Sequence, residues 1–277
     1  MKIGALDEII EAALKEDMPE GDLTSESVIP ADSVSEAVFV AKEAGVLAGM
    51  DVAARVFEKL DPKTRFEKLF NDGRAFKPQD ILARVKGNSI SLLKGERTSL
   101  NFLQRMSGIA TRTRRFVRAV SGTGTRILDT RKTTPTLRFL EKYAVKMGGG
   151  ENHRSSLSDM VLLKDNHLRL VGSITDAVRM AREKIKPGTK IEVEVTNFAE
   201  AKEAVEAGAS MIMLDNMSLK KMKQVLGWVK GKVPVEVSGK VTLSRARRIA
   251  SLGVDFISVG SLTHSFASVD ISLEFKE

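Results

Sequence analysis

The sequence predicts an α/β fold, a barrel of about six βα units beside a smaller α+β layer domain. From Arg126 onward a short β-branched apolar run, a polar turn and a helix-period segment recur, which is the signature of parallel strands joined by helices. In the stretch from Ile191 to Thr196, Ile191, Val193 and Val195 share one face while Glu192, Glu194 and Thr196 share the other. A barrel can line its interior near the mouth with such an acidic face. An open doubly wound sheet, covered on both sides, would have to bury it. Residues before about 105 show no βα alternation, which assigns them to a separate domain.

The elements follow in order. Asp7, Glu8, Glu11, Glu16 and Asp17 interrupt the apolar residues of Met1 to Met18, so this segment is an amphipathic helix and not a signal peptide. A strand is expected over Ala37 to Ala48, a helix over Val52 to Leu60, and strands around Phe66 to Phe70 and Ile81 to Val85, with Asn71-Asp72-Gly73 as a turn between the last two. Arg105, Arg112, Arg114, Arg115 and Arg118 make a basic helical patch. Barrel strands are expected at Arg126 to Asp129, Met160 to Lys164, Lys190 to Thr196, Ser210 to Asp215, Val233 to Ser238 and Asp255 to Gly260. Helices between them fall at Thr136 to Met147, Ser173 to Ile185, Ala199 to Ala207, Leu219 to Val229 and Thr242 to Leu252. Val269, Ile271, Leu273 and Phe275 alternate with polar residues, a half-buried strand that returns to the N-terminal sheet.

Composition narrows the function. The 277 residues are 42% hydrophobic and 29% charged, which is globular. No apolar run approaches the roughly 20 residues of a membrane span. With no cysteine, disulfide scaffolds, thiolate metal sites and cysteine nucleophiles are excluded, and a cytoplasmic location fits. A formal charge of +8 favours anionic partners.

Parallel α/β enzymes carry their reactive groups just past the carboxyl ends of strands. Here those positions are nearly all polar: Asp129-Thr130-Arg131-Lys132, Lys164-Asp165-Asn166-His167, Glu194, Asp215-Asn216, Ser238-Gly239-Lys240 and Gly260-Ser261, with His264 close behind. Gly148 to Arg154 precede the second strand. Arg131, Lys132, His153, Arg154 and Lys164 are cationic, whereas Glu194 and Asp215 are acidic, so the ligand has two different ends. Clustered cations suit carboxylates or phosphates, while carboxylates suit sugar hydroxyls, Mg²⁺ or a developing carbocation. After three glycines and between Asn152 and Arg154, His153 is expected to touch ligand and not to be a packed core histidine. Glu192 and Glu236 are kept outside the catalytic set, as groups that orient a neighbour.

Thr130 to Pro135, Leu140-Glu141-Lys142-Tyr143-Ala144-Val145 and Gly148 to Arg154 closely resemble the quinolinate phosphoribosyltransferases, the nicotinate-nucleotide pyrophosphorylases (carboxylating) of NAD biosynthesis. The likeness extends through Gly95 to Asn101, Leu163 to His167, Glu192 to Glu194, Leu214 to Asn216 and Ser258 to Ser265, nearly the whole chain. It implies an incomplete (open) α/β barrel of about six to seven strands over residues 106–266. An N-terminal α/β sandwich, residues 1–105, would be joined by the C-terminal strand, residues 267–277. It also implies transfer of phosphoribosyl from 5-phosphoribosyl 1-diphosphate to quinolinate, with decarboxylation to nicotinate mononucleotide. The implied assembly is a homodimer with shared active sites, alone or within a higher oligomer.

Carried over by position, Arg131, His153, Arg154 and Lys164, with Arg97 from the partner subunit, would hold quinolinate. Lys132, Glu194 and Asp215 would serve phosphoribosyl diphosphate, and Ser238, Gly239, Gly260 and Ser261 would cradle its 5-phosphate. Mg²⁺ is the implied cofactor, bound through the substrate diphosphate with Glu194 and Asp215 as candidate carboxylates. The chain departs from the family at Thr136 and Lys240, where glycine is usual. The alternatives are a relative acting on another pyridine carboxylate such as nicotinate, and a nucleic-acid binder using the basic patch. The latter has little support from a single Trp and a single Tyr, so no nucleic acid and no membrane are expected as partners.

Overall fold

The computed structural model describes residues 3–276; Met1 and Lys2, at the start of the expected N-terminal helix, and Glu277, at the end of the expected N-terminal domain, lie outside them. Two compact units form. One gathers the chain up to Arg114, Thr134–Gly149 and everything from Ser265 onward; the other is Arg115–Thr133 with Gly150–His264.

The first unit opens with helices α1 (Ile3–Asp17) and α2 (Leu23–Val28), then β1 (Val34–Ala41), β2 (Gly45–Val46), α3 (Met50–Leu60), β3 (Arg65–Lys68), β4 (Ala75–Phe76), β5 (Ile81–Asn88) and α4 (Ser89–Ala119). On α1, Leu6, Ile10 and Leu14 recur at helical spacing and are buried. Asp7 on α1 receives two hydrogen bonds from Arg55 of α3, at 2.8 and 2.7 Å. The expected strand Ala37 to Ala48 is in fact two. The ladder of β1 ends where Lys42 N bonds Asp270 O, and β2 pairs with β4 in a separate ribbon. The C-terminal strand does return: β12 (Ile271–Phe275) runs antiparallel to β1, from Ala37↔Phe275 to Ala41↔Ile271, giving the order β12-β1-β5-β3. Phe39, Phe57, Leu82, Leu103 and Ile271 share the core under this sheet.

Continuing along the chain, the remaining elements are β6 (Arg126–Leu128), α5 (Arg138–Met147), β7 (Val161–Leu163), α6 (Asp165–Val171), α7 (Ile174–Lys184) and β8 (Ile191–Val195). Then come α8 (Phe198–Glu206), β9 (Met211–Asp215), α9 (Leu219–Val229), β10 (Val235–Ser238), α10 (Leu243–Ala250), β11 (Phe256–Ser258) and α11 (Ser261–His264). Helix α5 groups with the first unit. The six strands β6 to β11 form one parallel sheet in the order β6-β11-β10-β9-β8-β7. Every strand lies beside its sequence neighbour except β6 and β7, as in a barrel slit along one seam. At that seam Glu151 makes an isolated parallel bridge to Leu128 and no ladder develops.

Candidate active site

Strand alternation builds the site. Ile191, Val193 and Val195 are fully buried, while the opposite face of β8 carries Glu192 and Glu194. The same face of the neighbouring strands presents Lys164, Met213, Asp215, Glu236, Ser238 and Ser258, and with the segments following β6 and β11 these line a cavity of about 780 Å³. Every sequence-predicted site residue except Arg97 is on its wall: Arg131, Lys132, His153, Arg154, Lys164, Glu194, Asp215, Ser238, Gly239, Gly260 and Ser261. Arg97 belongs to the other unit, exposed on α4 beside buried Gly95, Thr98 and Ser99.

One half of the cavity is cationic. Arg154 Nη1 donates to Met160 O at 3.1 Å. Its pKa is lowered, first by burial and then by the charge of Arg131. Arg131 Nε is itself buried without a hydrogen-bond partner. Two guanidinium groups held together against their repulsion, one with an idle donor, suit an incoming anion. The loop bearing Lys132 is fixed from both sides. Lys132 N donates to Thr130 Oγ1 at 3.1 Å, and Lys132 O accepts from Thr263 Oγ1 at 2.8 Å.

The other half is acidic and glycine-bearing. Lys164 Nζ bonds Glu194 Oε2 at 2.8 Å, so the two halves meet in one ion pair. Asp215 Oδ2 accepts from Asn216 Nδ2 at 2.7 Å, and Asn216 N donates to Ser238 O at 3.2 Å, tying the ends of β9 and β10 together. Asn216, Gly239 and Lys240 all have left-handed backbones, with φ of 50°, 95° and 46°. Gly239 is required twice over, by its φ and because a Cβ there would collide with the Asn216 side chain and stand 2.9 Å from Asn216 N.

His153 lines the cavity as expected of a ligand-facing group, although its side chain is only 8% exposed. Glu151 N donates to Ile127 O at 2.8 Å and His153 N to Asp129 Oδ1 at 2.9 Å, which seats the ring over carboxylates of the barrel interior. Nε2 lies 2.9 Å from Glu192 Oε2 and 3.4 Å from Glu236 Oε2. Burial opposes a charge on the ring, but hydrogen bonds and attraction from the two carboxylates outweigh it, and the pKa is pushed up to about 9. Burial likewise raises the pKa of Glu192. Of the remaining histidines, His264 lines the cavity, whereas His167 caps α6 by accepting from Lys164 N at 3.0 Å.

Sequence reasoning passed over Lys240, Ser258 and His264 as site residues, and all three line the cavity. Ser258 was legible from the strand period, since it stands two residues before Gly260. Lys240 follows β10 in an irregular segment and His264 ends the one-turn helix α11, too short for a period to assign a direction.

Two family models cover the chain: Quinolinate phosphoribosyl transferase, N-terminal domain, over residues 22–107, and its C-terminal domain over residues 109–274. A probable nicotinate-nucleotide pyrophosphorylase [carboxylating] of Synechocystis is 42% identical over 97% of this chain and 92% of its own length. The corresponding Bacillus subtilis protein is 41% identical over 94% of this chain and 89% of its own. The crystal structure of NadC from Streptococcus pyogenes superposes with a TM-score of 0.96 at 41% identity, covering 100% of this chain and 99% of that one.

Proposed function

The chain belongs to the quinolinate phosphoribosyltransferase family, and from that premise we propose how its cavity works. The reaction joins the pyridine nitrogen of quinolinate to C1 of 5-phosphoribosyl 1-diphosphate, expels diphosphate and releases CO₂, leaving nicotinate mononucleotide. The observation that carries the reading is the Lys164–Glu194 pair at 2.8 Å, which puts a cation-lined half for a dicarboxylate in contact with an acidic half for a sugar.

Quinolinate is a dianion that diphosphate would repel. Arg131, Arg154, His153 and Lys164 cancel that charge and aim the ring nitrogen at the ribose. A carboxylate on Lys164 competes with Glu194 for the ammonium, which returns negative charge to Glu194 as the ribose becomes cationic. Glu194 and Asp215 then stabilise that positive charge, and Lys132 bonds the departing diphosphate oxygens. No protein nucleophile is needed; the positive pyridinium nitrogen stabilises the electron pair left at C2 as CO₂ departs, and a proton from solvent completes the C2–H bond of the product. Two mutually repelling arginines favour a dianionic substrate over the single carboxylate of nicotinate.

The donor set suits the Mg²⁺ that the family implies, being oxygen-only and free of thiols. Glu194 is engaged by Lys164, so Asp215 together with the substrate diphosphate would hold the ion. Bound there, Mg²⁺ neutralises diphosphate charge. The reading includes a homodimer in which exposed Arg97 serves the neighbouring chain's cavity, and a cytoplasmic location, which a phosphorylated, membrane-impermeant substrate suits. Among the described residues, no helix is long and apolar enough to cross a membrane.

Incubation with quinolinate and phosphoribosyl diphosphate, with nicotinate as a parallel substrate, tests the reading. Nicotinate mononucleotide and CO₂ from quinolinate are expected. Conversion of nicotinate alone, with no CO₂ from quinolinate, would overturn it.

A further inference from the structure

Two buried carboxylates, Glu236 in the cavity wall and Glu192 behind it, have no part in the chemistry above. Glu192 on β8 and Glu236 on β10 are each 0% exposed, yet both approach the same atom, His153 Nε2. Glu236 is also bonded by the Ser258 hydroxyl of β11. Glu192 Oε1 accepts no hydrogen bond, and the contact of Glu236 Oε2 with His153 Nε2, at 3.4 Å, is too long for a well-formed one. Two buried, incompletely bonded carboxylates are an expensive way to fill space, because an amide or apolar side chain packs there without desolvating a charge. A packing role therefore leaves them unexplained.

We propose that Glu192 and Glu236 are positioning residues for the dicarboxylate, gripping His153 Nε2 from two strands so that the ring keeps one orientation and a positive charge toward a substrate carboxylate. This rests on the quinolinate reading above. The grip is built from separate elements, since β8 supplies one carboxylate, β10 the other and β11 the hydroxyl that sets the second. Asp129 at the end of β6 fixes the His153 backbone N–H. The other charges around the ring are Arg131 and Arg154, which oppose its protonation, and Lys164 and Glu194, which largely cancel as a pair. The raised pKa of His153 agrees with the carboxylates prevailing. His153 thereby joins Arg131, Arg154 and Lys164 as a cation whose direction is set before substrate arrives, so less ordering is needed on binding.

Only three histidines, His153, His167 and His264, occur in the chain, so imidazole ¹⁵N spectra of the whole protein can be assigned by single substitutions. In the unaltered protein the His153 ring should stay doubly protonated to about pH 8, above the usual range of histidine. In Glu192→Gln and Glu236→Gln its pKa should fall by about one unit or more. Near pH 8 the quinolinate KM of each variant should rise about tenfold, with the phosphoribosyl diphosphate KM within about twofold. The quinolinate defect should narrow toward about pH 6, where an unassisted imidazole is protonated. A merely structural role would raise both KM values or lower kcat at every pH.

A His153 ring that titrates at or below the ordinary value in the unaltered protein would overturn the proposal without any variant. So would equal effects on both substrates, a pH-independent defect, or stoichiometric binding of Mn²⁺ or Zn²⁺ that strips the His153 proton, which would make the cluster a metal site. Calorimetry of quinolinate binding separates the two readings. An unaltered protein that neither binds nor converts quinolinate removes the functional reading and this proposal together. One that does both, with variants that bind quinolinate normally, removes the proposal alone.

Discussion

Arg154 shows why single residues of this cavity divide between the two substrates. Its guanidinium is partly buried beside Arg131, so a carboxylate placed between them relieves repulsion and gains a partner at once. Arg154→Ala should cost about 2–5 kcal/mol in quinolinate binding by calorimetry and leave phosphoribosyl diphosphate binding nearly intact. Equal losses would mean that the two halves of the cavity are wrongly assigned. His153 carries a second consequence, in stability. With a folded pKa of about 9 against 6.5 unfolded, its contribution is complete below pH 6.5 and lost as pH rises through 9. The urea midpoint should therefore decline across that window, and less steeply in His153→Asn. Thr136 and Lys240, the two positions where the family resemblance implies glycine, both have left-handed backbones, with φ of 68° and 46°. Lys240→Gly should raise stability by about 0.5–1 kcal/mol once the looser unfolded chain is set against the relieved strain. A lower thermal midpoint would show that the Lys240 conformation is not strained. Arg131, Lys164, Glu194 and Asp215 were legible because strand ends and a period of two give direction. The partnership of His153 with Glu236 was not, because it joins the segment before β7 to β10, residues 83 positions apart that no local pattern pairs.

Elements were legible where each carried its own periodicity. The strands β8 and β9 and helices α7 and α9 lie within a residue or two of their expected bounds because their apolar residues alternate or recur every third or fourth position. The two-residue strands β2 and β4 have no room for a period, and the six-residue α2 announces itself only through its cap, where Asp22 accepts from Thr24 N and Ser25 N at 3.1 Å. Helix α4 was recognisable only along its basic stretch from Arg105, since Gly95 and Ser99 weaken helix propensity before it, as Ser107 and Gly108 also do within it. Those small residues answer to packing. A Cβ on Gly108 would collide with Ala267 O and approach Ser268 Cα to 2.9 Å, so α4 can pass the segment leading into β12 only with glycine there. Gly108→Ala should destabilise by about 1–3 kcal/mol in chemical denaturation. Gly227, inside α9 with open space around its Cα, makes the matched contrast, and Gly227→Ala should stabilise by about 0.5–1 kcal/mol. Equal responses of the two would mean that the close approach does not constrain α4.

At the scale of the whole molecule, the sheet order β6-β11-β10-β9-β8-β7 keeps the order of a barrel and leaves one seam unladdered, while a surplus of eight positive charges favours the gathering of two anionic substrates. The cavity wall comes from a single unit, and the proposed shared site has Arg97, exposed on the other unit, serve the cavity of a second chain. Complementation tests this. Arg97→Ala and Arg131→Ala should each abolish turnover alone. In a mixed dimer, the barrel of the Arg97→Ala chain keeps its own Arg131 and receives an intact Arg97 from its neighbour, so one of the two sites is whole and activity should return to about half of the unaltered dimer. Were Arg97 to act within its own chain, each chain would carry one defect in its own site, and no pairing could repair either. Two different affinity tags, co-expression and tandem purification isolate the mixed species. A mixed dimer of verified composition that stays inactive would leave Arg97 outside a shared site, whereas recovery of activity is an outcome that a monomeric site cannot produce.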